Sequence, residues 1–153
     1  MTLFCLDTTA FVEPWVRRYP IDVFPSYWGR LDEWIHGDRI VAPDEVLREI
    51  ARNDDDLHKW VRARAQMFQP PEENVQQAVG ALLADYPRLV DTRKGRHIAD
   101  PWVIAQAQVM SATVVTEESD GSSKSPKIPD VCRAKGISVV RVIDLIRAMD
   151  LRL

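Results

Sequence analysis

The amino-acid sequence predicts an α/β protein, a three-layer α/β/α arrangement around a central, mainly parallel sheet of four or five strands. Three observations carry that expectation. Short apolar, β-branched runs recur at residues 2–7, 39–42, 113–116 and 138–142. Helix-patterned segments separate these runs, and alternating strands and helices favour parallel pairing with helices on both faces. The chain has 153 residues and shows no internal repeat or heptad, so residues 1–153 fit one domain.

Each element follows from local chemistry. Residues 2–7 read as a short buried strand ending at Asp7. Thr8 and Thr9 can cap the helix that Ala10, Phe11 and Val12 begin, and Pro14 is tolerated in a first turn. Tyr19-Pro20 and Phe24-Pro25 mark breaks, because a residue before proline leaves the helical region. Over 26–36, Tyr27, Trp28, Leu31, Trp34 and Ile35 fall near one face of a helix that Gly37-Asp38 ends. The strand at 39–42 leads through Pro43-Asp44 into a helix reaching Ile50, with Val46, Leu47 and Ile50 inward. Residues 53–56 form an acidic turn and cap. Trp60, Val61 and Met67 predict a helix over 57–68, stopped by Pro70-Pro71. A helix over 75–86 buries Val79, Leu82 and Leu83. Residues 91–97 are a polar, basic connection. Asp100-Pro101 then opens the most regular helix, carrying Trp102, Val103, Ile104, Ala105, Ala107 and Val109. Beyond the strand at 113–116, residues 119–127 read as a polar surface loop. A short helix at 131–135 closes on Gly136. The last strand, 138–142, and the last helix, 143–151, complete the pattern.

Composition narrows the function. The hydrophobic fraction of 46% is ordinary for a packed core, and five tryptophans add burial potential. The formal net charge of -3 gives no overall basic field, so a nucleic-acid partner needs local basic patches or bound metal. The two cysteines, Cys5 and Cys132, form no CxxC pair, and His36, His58 and His97 have no zinc spacing. No basic flank with a long apolar stretch opens the chain, and no segment has the apolar length to cross a bilayer. The expectation is a soluble, reduced, cytoplasmic protein with no membrane partner.

The chemistry-bearing signal is acidic. Asp7 ends the first apolar run, and Glu117-Glu118 follow the run at 113–116. In an open doubly wound sheet, ligands bind outside the carboxyl ends of the strands. Glu49 and Asp100 lie on helices that such a sheet would bring near. Several carboxylates together suit Mg²⁺ or Mn²⁺, which prefer hard oxygen ligands. Such ions screen phosphate charge and activate water, so the pattern points to phosphodiester chemistry. Crowded carboxylates repel, and one is expected to keep a proton until metal binds. Each acid also has an ordinary reading. Asp7 can cap the next helix through a backbone N–H. Glu49, with Glu45 one turn earlier, can be a solvated helix residue. Asp100 stands where an N-cap precedes proline, and Glu117-Glu118 fit an exposed loop.

Taken together, these segments resemble the PIN domain, a compact α/β fold of metal-dependent ribonucleases. "FCLDTTAFV" is similar to its opening strand, with Asp7 as the first metal-binding acid and Thr9 as a hydroxyl residue. "APDEVLREI" resembles the helix that supplies a glutamate, here Glu49. "IADPWVIAQAQVMSATVVTEE" resembles the segment carrying the third and fourth acids, Asp100 and Glu118. The family often ends that strand with threonine, any residue, then aspartate; here the run is Thr116-Glu117-Glu118, so a longer arm takes the fourth position. "YPIDVFPSYW" and "KIPDVC" are similar to a bacterial subgroup of PIN-like toxins, whose pattern Lys127 and Asp130 also fit without an assigned role.

The resemblance implies a VapC-like toxin, an endoribonuclease using Mg²⁺ or Mn²⁺ that leaves a 3′-hydroxyl and a 5′-phosphate. It implies Asp7, Glu49, Asp100 and Glu118 as catalytic metal ligands, with Thr9, Thr116 and Glu117 in support. It also implies an antitoxin protein partner and a homodimer, a common state of such toxins. RNA contacts are expected at Arg93, Lys94, Arg96 and His97, just before Asp100, with Arg17, Arg18, Arg62 and Arg64 as further candidates. Two other readings stand beside it. A non-catalytic PIN-like module would bind RNA or protein. A phosphoacceptor receiver domain would need an acidic pair after the first strand, where Asp7 stands alone before Thr8 and Thr9. No GxxxxGK[ST] or GxGxxG appears.

Overall fold

The computed structural model describes residues 1–53, 55–91, 95 and 97–152. In chain order the elements are β1 (Phe4–Leu6), α1 (Thr9–Glu13) continuing as a π-helical turn Pro14–Arg18, α2 (Pro25–His36), β2 (Ile40–Pro43), α3 (Asp44–Ala51) and α4 (Asp56–Arg62). A 3₁₀ turn, Ala65–Met67, leads into β3 (Phe68–Gln69). Then come α5 (Glu73–Asp85), α6 (Asp100–Met110), β4 (Thr113–Val115), α7 (Ile128–Lys135), β5 (Val139–Val140) and α8 (Val142–Ala148).

The five strands form one sheet in the order β3-β2-β1-β4-β5, and every neighbouring pair is parallel. Phe4, Cys5 and Leu6 face Thr113, Val114 and Val115 in register. Helices flank this sheet, giving the three-layer architecture expected. The order separates it from a receiver domain, whose doubly wound sheet runs 2-1-3-4-5. The chain steps outward from β1 through β2 to β3, then returns to β4 on the other side. The loops leaving β1 and β4 therefore diverge, and a crevice opens at their carboxyl ends.

The core explains why these segments hold. All of β1 is buried. Helix α6 packs on β1, β2 and β4 and is buried on most of its surface, which suits its nearly all-apolar sequence. Trp28 of α2 is 1% exposed. Its ring meets Trp15, Tyr27 and Trp60 edge-on, at centroid distances of 4.8, 5.2 and 5.0 Å. That geometry is the preferred one for aromatic quadrupoles. Its indole N–H donates to the Tyr19 carbonyl at 2.7 Å, so this buried donor is satisfied. Cys5 and Cys132 are free and buried, and burial raises both thiol pKa values.

Three expectations need correction. The helix expected over 57–68 ends at Arg62, and Phe68–Gln69 instead pairs with Ala42 and Pro43 as the fifth strand. Arg64 accounts for the turn: its Nε donates to Asp32 at 2.6 Å and its guanidinium stacks 3.8 Å from the Trp60 ring centre. Leu83, expected in the core, is only half-buried. Glu45, one turn before Glu49, is not a solvated helix residue. It is buried beside Arg48, 3.5 Å away.

Candidate active site

The loop after β1 places Asp7 at the crevice, 1% exposed. Both oxygens of its carboxylate accept hydrogen bonds. Oδ1 accepts from the Ala10 backbone N–H at 3.0 Å and from the Thr9 hydroxyl at 2.7 Å. Oδ2 accepts from the Thr116 hydroxyl at 2.8 Å. Asp7 thus caps α1 and faces the crevice at once, so its two sequence readings do not compete. Thr8, at the helix start, makes no capping bond. Its hydroxyl instead donates to Glu49 on α3, whose second oxygen accepts from the Ala99 N–H at 3.4 Å.

The end of β4 supplies the opposite wall. The Thr116 hydroxyl accepts from the Glu118 N–H at 3.0 Å, and the Thr9 hydroxyl accepts from the Glu117 N–H at 2.9 Å. These bonds fix the direction of the next two side chains. Glu118 turns inward and is 7% exposed. Glu117, expected in support, turns the other way. Its carboxylate accepts from the Val142 N–H at 3.0 Å and pairs with Arg141 at 2.9 Å. Arg141 also donates to the Glu118 carbonyl at 2.7 Å, so Glu117 and Arg141 brace the Glu118 backbone from outside the cleft.

Asp100 is corrected in position. Ala99 is the cap residue, and Asp100 is the first residue of α6 with no capping bond. Its side chain is thereby left for the cleft. His97, expected among RNA contacts, belongs to the same group. Its Nδ1 lies 3.1 Å from Asp100 Oδ2 and 3.6 Å from Glu118 Oε1. Arg93, Lys94 and Arg96 lie outside the described residues. Of the other basic candidates, Arg17 pairs with Glu13 at 2.6 Å and Arg64 is held against Asp32 and Trp60.

A cleft of about 560 Å³ results, lined by Asp7, Thr8, Thr9, Glu49, Arg52, Asn53, His97, Asp100 and Glu118. Burial pushes the Asp7 carboxyl up to about 8, and the Glu118 charge adds to it. Burial also drives Asp100 well above the usual range, the Asp7 charge adds to it, and the Lys127 charge opposes it. Glu118 is raised by burial and by Asp100. Glu118 Oε1 is buried, and among the described residues no hydrogen bond satisfies it. The donor set is oxygen-rich and electrostatically crowded, which fits a divalent cation.

Sequence reasoning missed Thr8, Arg52 and Asn53. A signal existed for the last two: they follow Glu49 by three and four residues, the spacing of neighbours on a helix face. It also left Asp130 without a role. Asp130 Oδ2 accepts from the Gly121 N–H at 2.7 Å and the Lys127 N–H at 2.9 Å, tying the loop at 119–127 to α7. Burial opposes ionisation there, but these N–H groups outweigh it and hold the carboxyl below its usual range.

The sheet order and the acidic crevice at the ends of β1 and β4 define a PIN-like fold. Among solved structures, VapBC2 from Rickettsia felis bound to a DNA fragment from their promoter is similar at 14% identity. The match covers 92% of this chain and 98% of that one, with a TM-score of 0.56. VapBC-1 from nontypeable Haemophilus influenzae is 15% identical over 93% of this chain and 99% of that chain, with a TM-score of 0.56. FitAcB from Neisseria gonorrhoeae is 16% identical over 92% and 99%, with a TM-score of 0.53. At these identities the likeness is one of fold. The chain itself belongs to the family described as "Domain of unknown function (DUF4411)", whose model matches residues 4–153. No curated protein matches it in sequence. No helix among the described residues is long and apolar enough to cross a membrane.

Proposed function

We propose that this chain is a metal-dependent endoribonuclease, the toxin of a toxin–antitoxin pair, acting as a single PIN-like domain. One observation carries the reading: Asp7, Glu49, Asp100 and Glu118 converge on one cleft at the sheet's switch point, where Glu118 Oε1 is buried without a hydrogen-bond partner among the described residues. Folding alone gives no reason to gather four carboxylates there, since each isolated buried charge is costly.

Asp7, Asp100 and Glu118 would hold Mg²⁺ or Mn²⁺, with Glu49 at the open side. A bound ion there would lower the pKa of a water and neutralise charge developing on the scissile phosphate. The chain's own residues do the rest. Thr9 and Thr116 fix both oxygens of Asp7, and Thr8 fixes Glu49, so the carboxylates are oriented before substrate arrives. Arg52 and Asn53, exposed on the cleft wall, are placed to meet phosphate oxygens. Water adds to phosphorus, the bond to the 3′-oxygen breaks, and the products carry a 3′-hydroxyl and a 5′-phosphate.

The likeness of fold to the VapBC and FitAcB proteins supports an antitoxin partner. The reading is tested by incubating a mixed RNA with the protein and Mn²⁺, beside Asp7→Asn. Cleavage by the parent chain alone is expected. Cleavage undiminished in Asp7→Asn, or absent from both, ends the nuclease assignment and leaves a binding module.

A further inference from the structure

We propose that His97 is itself a metal ligand and makes the cleft a nitrogen-and-oxygen site selective for transition ions such as Mn²⁺, Co²⁺ and Zn²⁺ over Mg²⁺. This deepens the metal-dependent reading above and rests on it for the presence of a cation. His97, Asp100 and Glu118 each offer one donor atom, and the three atoms lie within 4.8 Å of one another. The imidazole Nδ1 stands 3.1 Å from one carboxylate oxygen and 3.6 Å from the other. Adjacent ligands of a six-coordinate ion with bonds near 2.1 Å are about 3.0 Å apart; the 3.1 Å pair stands at that spacing and the 3.6 Å pair lies somewhat wider.

The second observation is independent of this spacing. Glu118 is 7% exposed, lines the cleft, and has a buried Oε1 that no hydrogen bond reaches among the described residues. An orphaned oxygen of this kind costs free energy unless something fills the space beside it. The imidazole is 3.6 Å away, beyond hydrogen-bond reach. A cation between the three groups satisfies all of them.

Ligand chemistry then sets the preference. Mg²⁺ takes oxygen ligands and sheds water reluctantly, whereas imidazole suits the later first-row ions. A carboxylate-only cleft would discriminate less sharply. A histidine serving only to orient Asp100 would leave no nitrogen on the metal.

The experiment is pulsed electron paramagnetic resonance of the Mn²⁺-loaded protein, with calorimetric titration of Mg²⁺, Mn²⁺ and Zn²⁺. The parent chain is compared with His97→Asn and His97→Ala. Residue 97 has a φ of 60°, a left-handed backbone that asparagine adopts readily, and thermal melts establish that each variant is folded. The parent should show ¹⁴N coupling from an imidazole, and both variants should lose it. Zn²⁺ affinity should fall by about tenfold or more, with Mg²⁺ affinity unchanged. Mn²⁺ bound without ¹⁴N coupling overturns the proposal and leaves the nuclease reading standing. Coupling that persists in the folded variants, or equal losses for Mg²⁺ and Zn²⁺, also overturns it. Failure to bind any of the ions overturns both. Coupling at His97 with no RNA cleavage upholds this site and removes the nuclease.

Discussion

The Thr116 hydroxyl donates to Asp7 Oδ2 at 2.8 Å and accepts from the Glu118 N–H at 3.0 Å, so one oxygen joins the ends of two neighbouring parallel strands. All three residues are buried. Thr116→Val keeps the shape and removes the bridge, leaving the Glu118 N–H unsatisfied. Stability should fall by about 1–3 kcal/mol, and Mn²⁺-dependent cleavage should drop with it. Denaturant melts and an RNA cleavage assay check this; a variant matching the parent in both would show the bridge to be idle.

The pH response follows from Asp7. Its carboxyl is raised to about 8 by burial and then by Glu118, against an ordinary value of about 3.9 in the unfolded chain. The folded state therefore holds this proton more tightly. Its contribution to stability is fully present below about pH 4 and is lost as the pH rises through about 8. Melting temperatures in chelating buffer should fall between pH 5 and pH 8, and Asp7→Asn should flatten that fall. Excess Mn²⁺ should restore the high-pH end. A parent chain whose ion-free stability climbs over the interval contradicts the assignment.

Arg141 acts on the cleft from behind. Its guanidinium holds the Glu118 carbonyl at 2.7 Å and the Glu117 carboxylate at 2.9 Å. Arg141→Ala releases the backbone that aims Glu118. Mn²⁺ affinity should weaken by roughly tenfold, the scale typical of groups that orient metal ligands, and the melt should fall as well, because the buried Glu117 carboxylate loses its cation. Arg141→Lys should recover part of the loss. Titration of all three proteins settles it, and unchanged affinity in the alanine variant would refute the brace.

Gly121 is set by close approach. A Cβ there would lie 2.3 Å from the Ser125 carbonyl and 3.1 Å from Asp130 Oδ2. Gly121→Ala must push the loop at 119–127 off its Asp130 anchor, at a cost of about 1–3 kcal/mol. Faster proteolysis within this loop, at unchanged rates elsewhere, is the expected signature.

Trp28→Ala removes the hub of the aromatic cluster and strands the Tyr19 carbonyl. The loss should be about 3–5 kcal/mol, seen as a lower denaturation midpoint. Trp28→Phe should lose less, because it keeps a ring in the cavity.

The layers of the fold were legible because their signals are local. Apolar runs such as Phe4–Leu6 and Thr113–Val115 have lengths and β-branching that announce buried strands. Pro101 and the apolar pattern after it announce α6. β3 was not legible, since two residues have no period; Phe68 and Gln69 are a strand only because Ala42 and Pro43 lie beside them. Capping accounted for Asp100 more fully than for Asp7, yet it is Asp7 that accepts the helix N–H and Asp100 that does not. Glu117 and Glu118 are chemically alike and adjacent, and only the resemblance to a threonine, any residue, aspartate run singled out Glu118.

The sequence by itself determined the alternation of strands and helices and the set of acids available near the strand ends, because both rest on residues within a turn of one another. Only the tertiary structure decided that Glu117 turns away to brace Arg141, and that His97 joins Asp100 rather than a basic surface. Those choices depend on hydrogen bonds between residues as far apart as Thr9 and Glu117, which exist only once the sheet has brought the ends of β1 and β4 together.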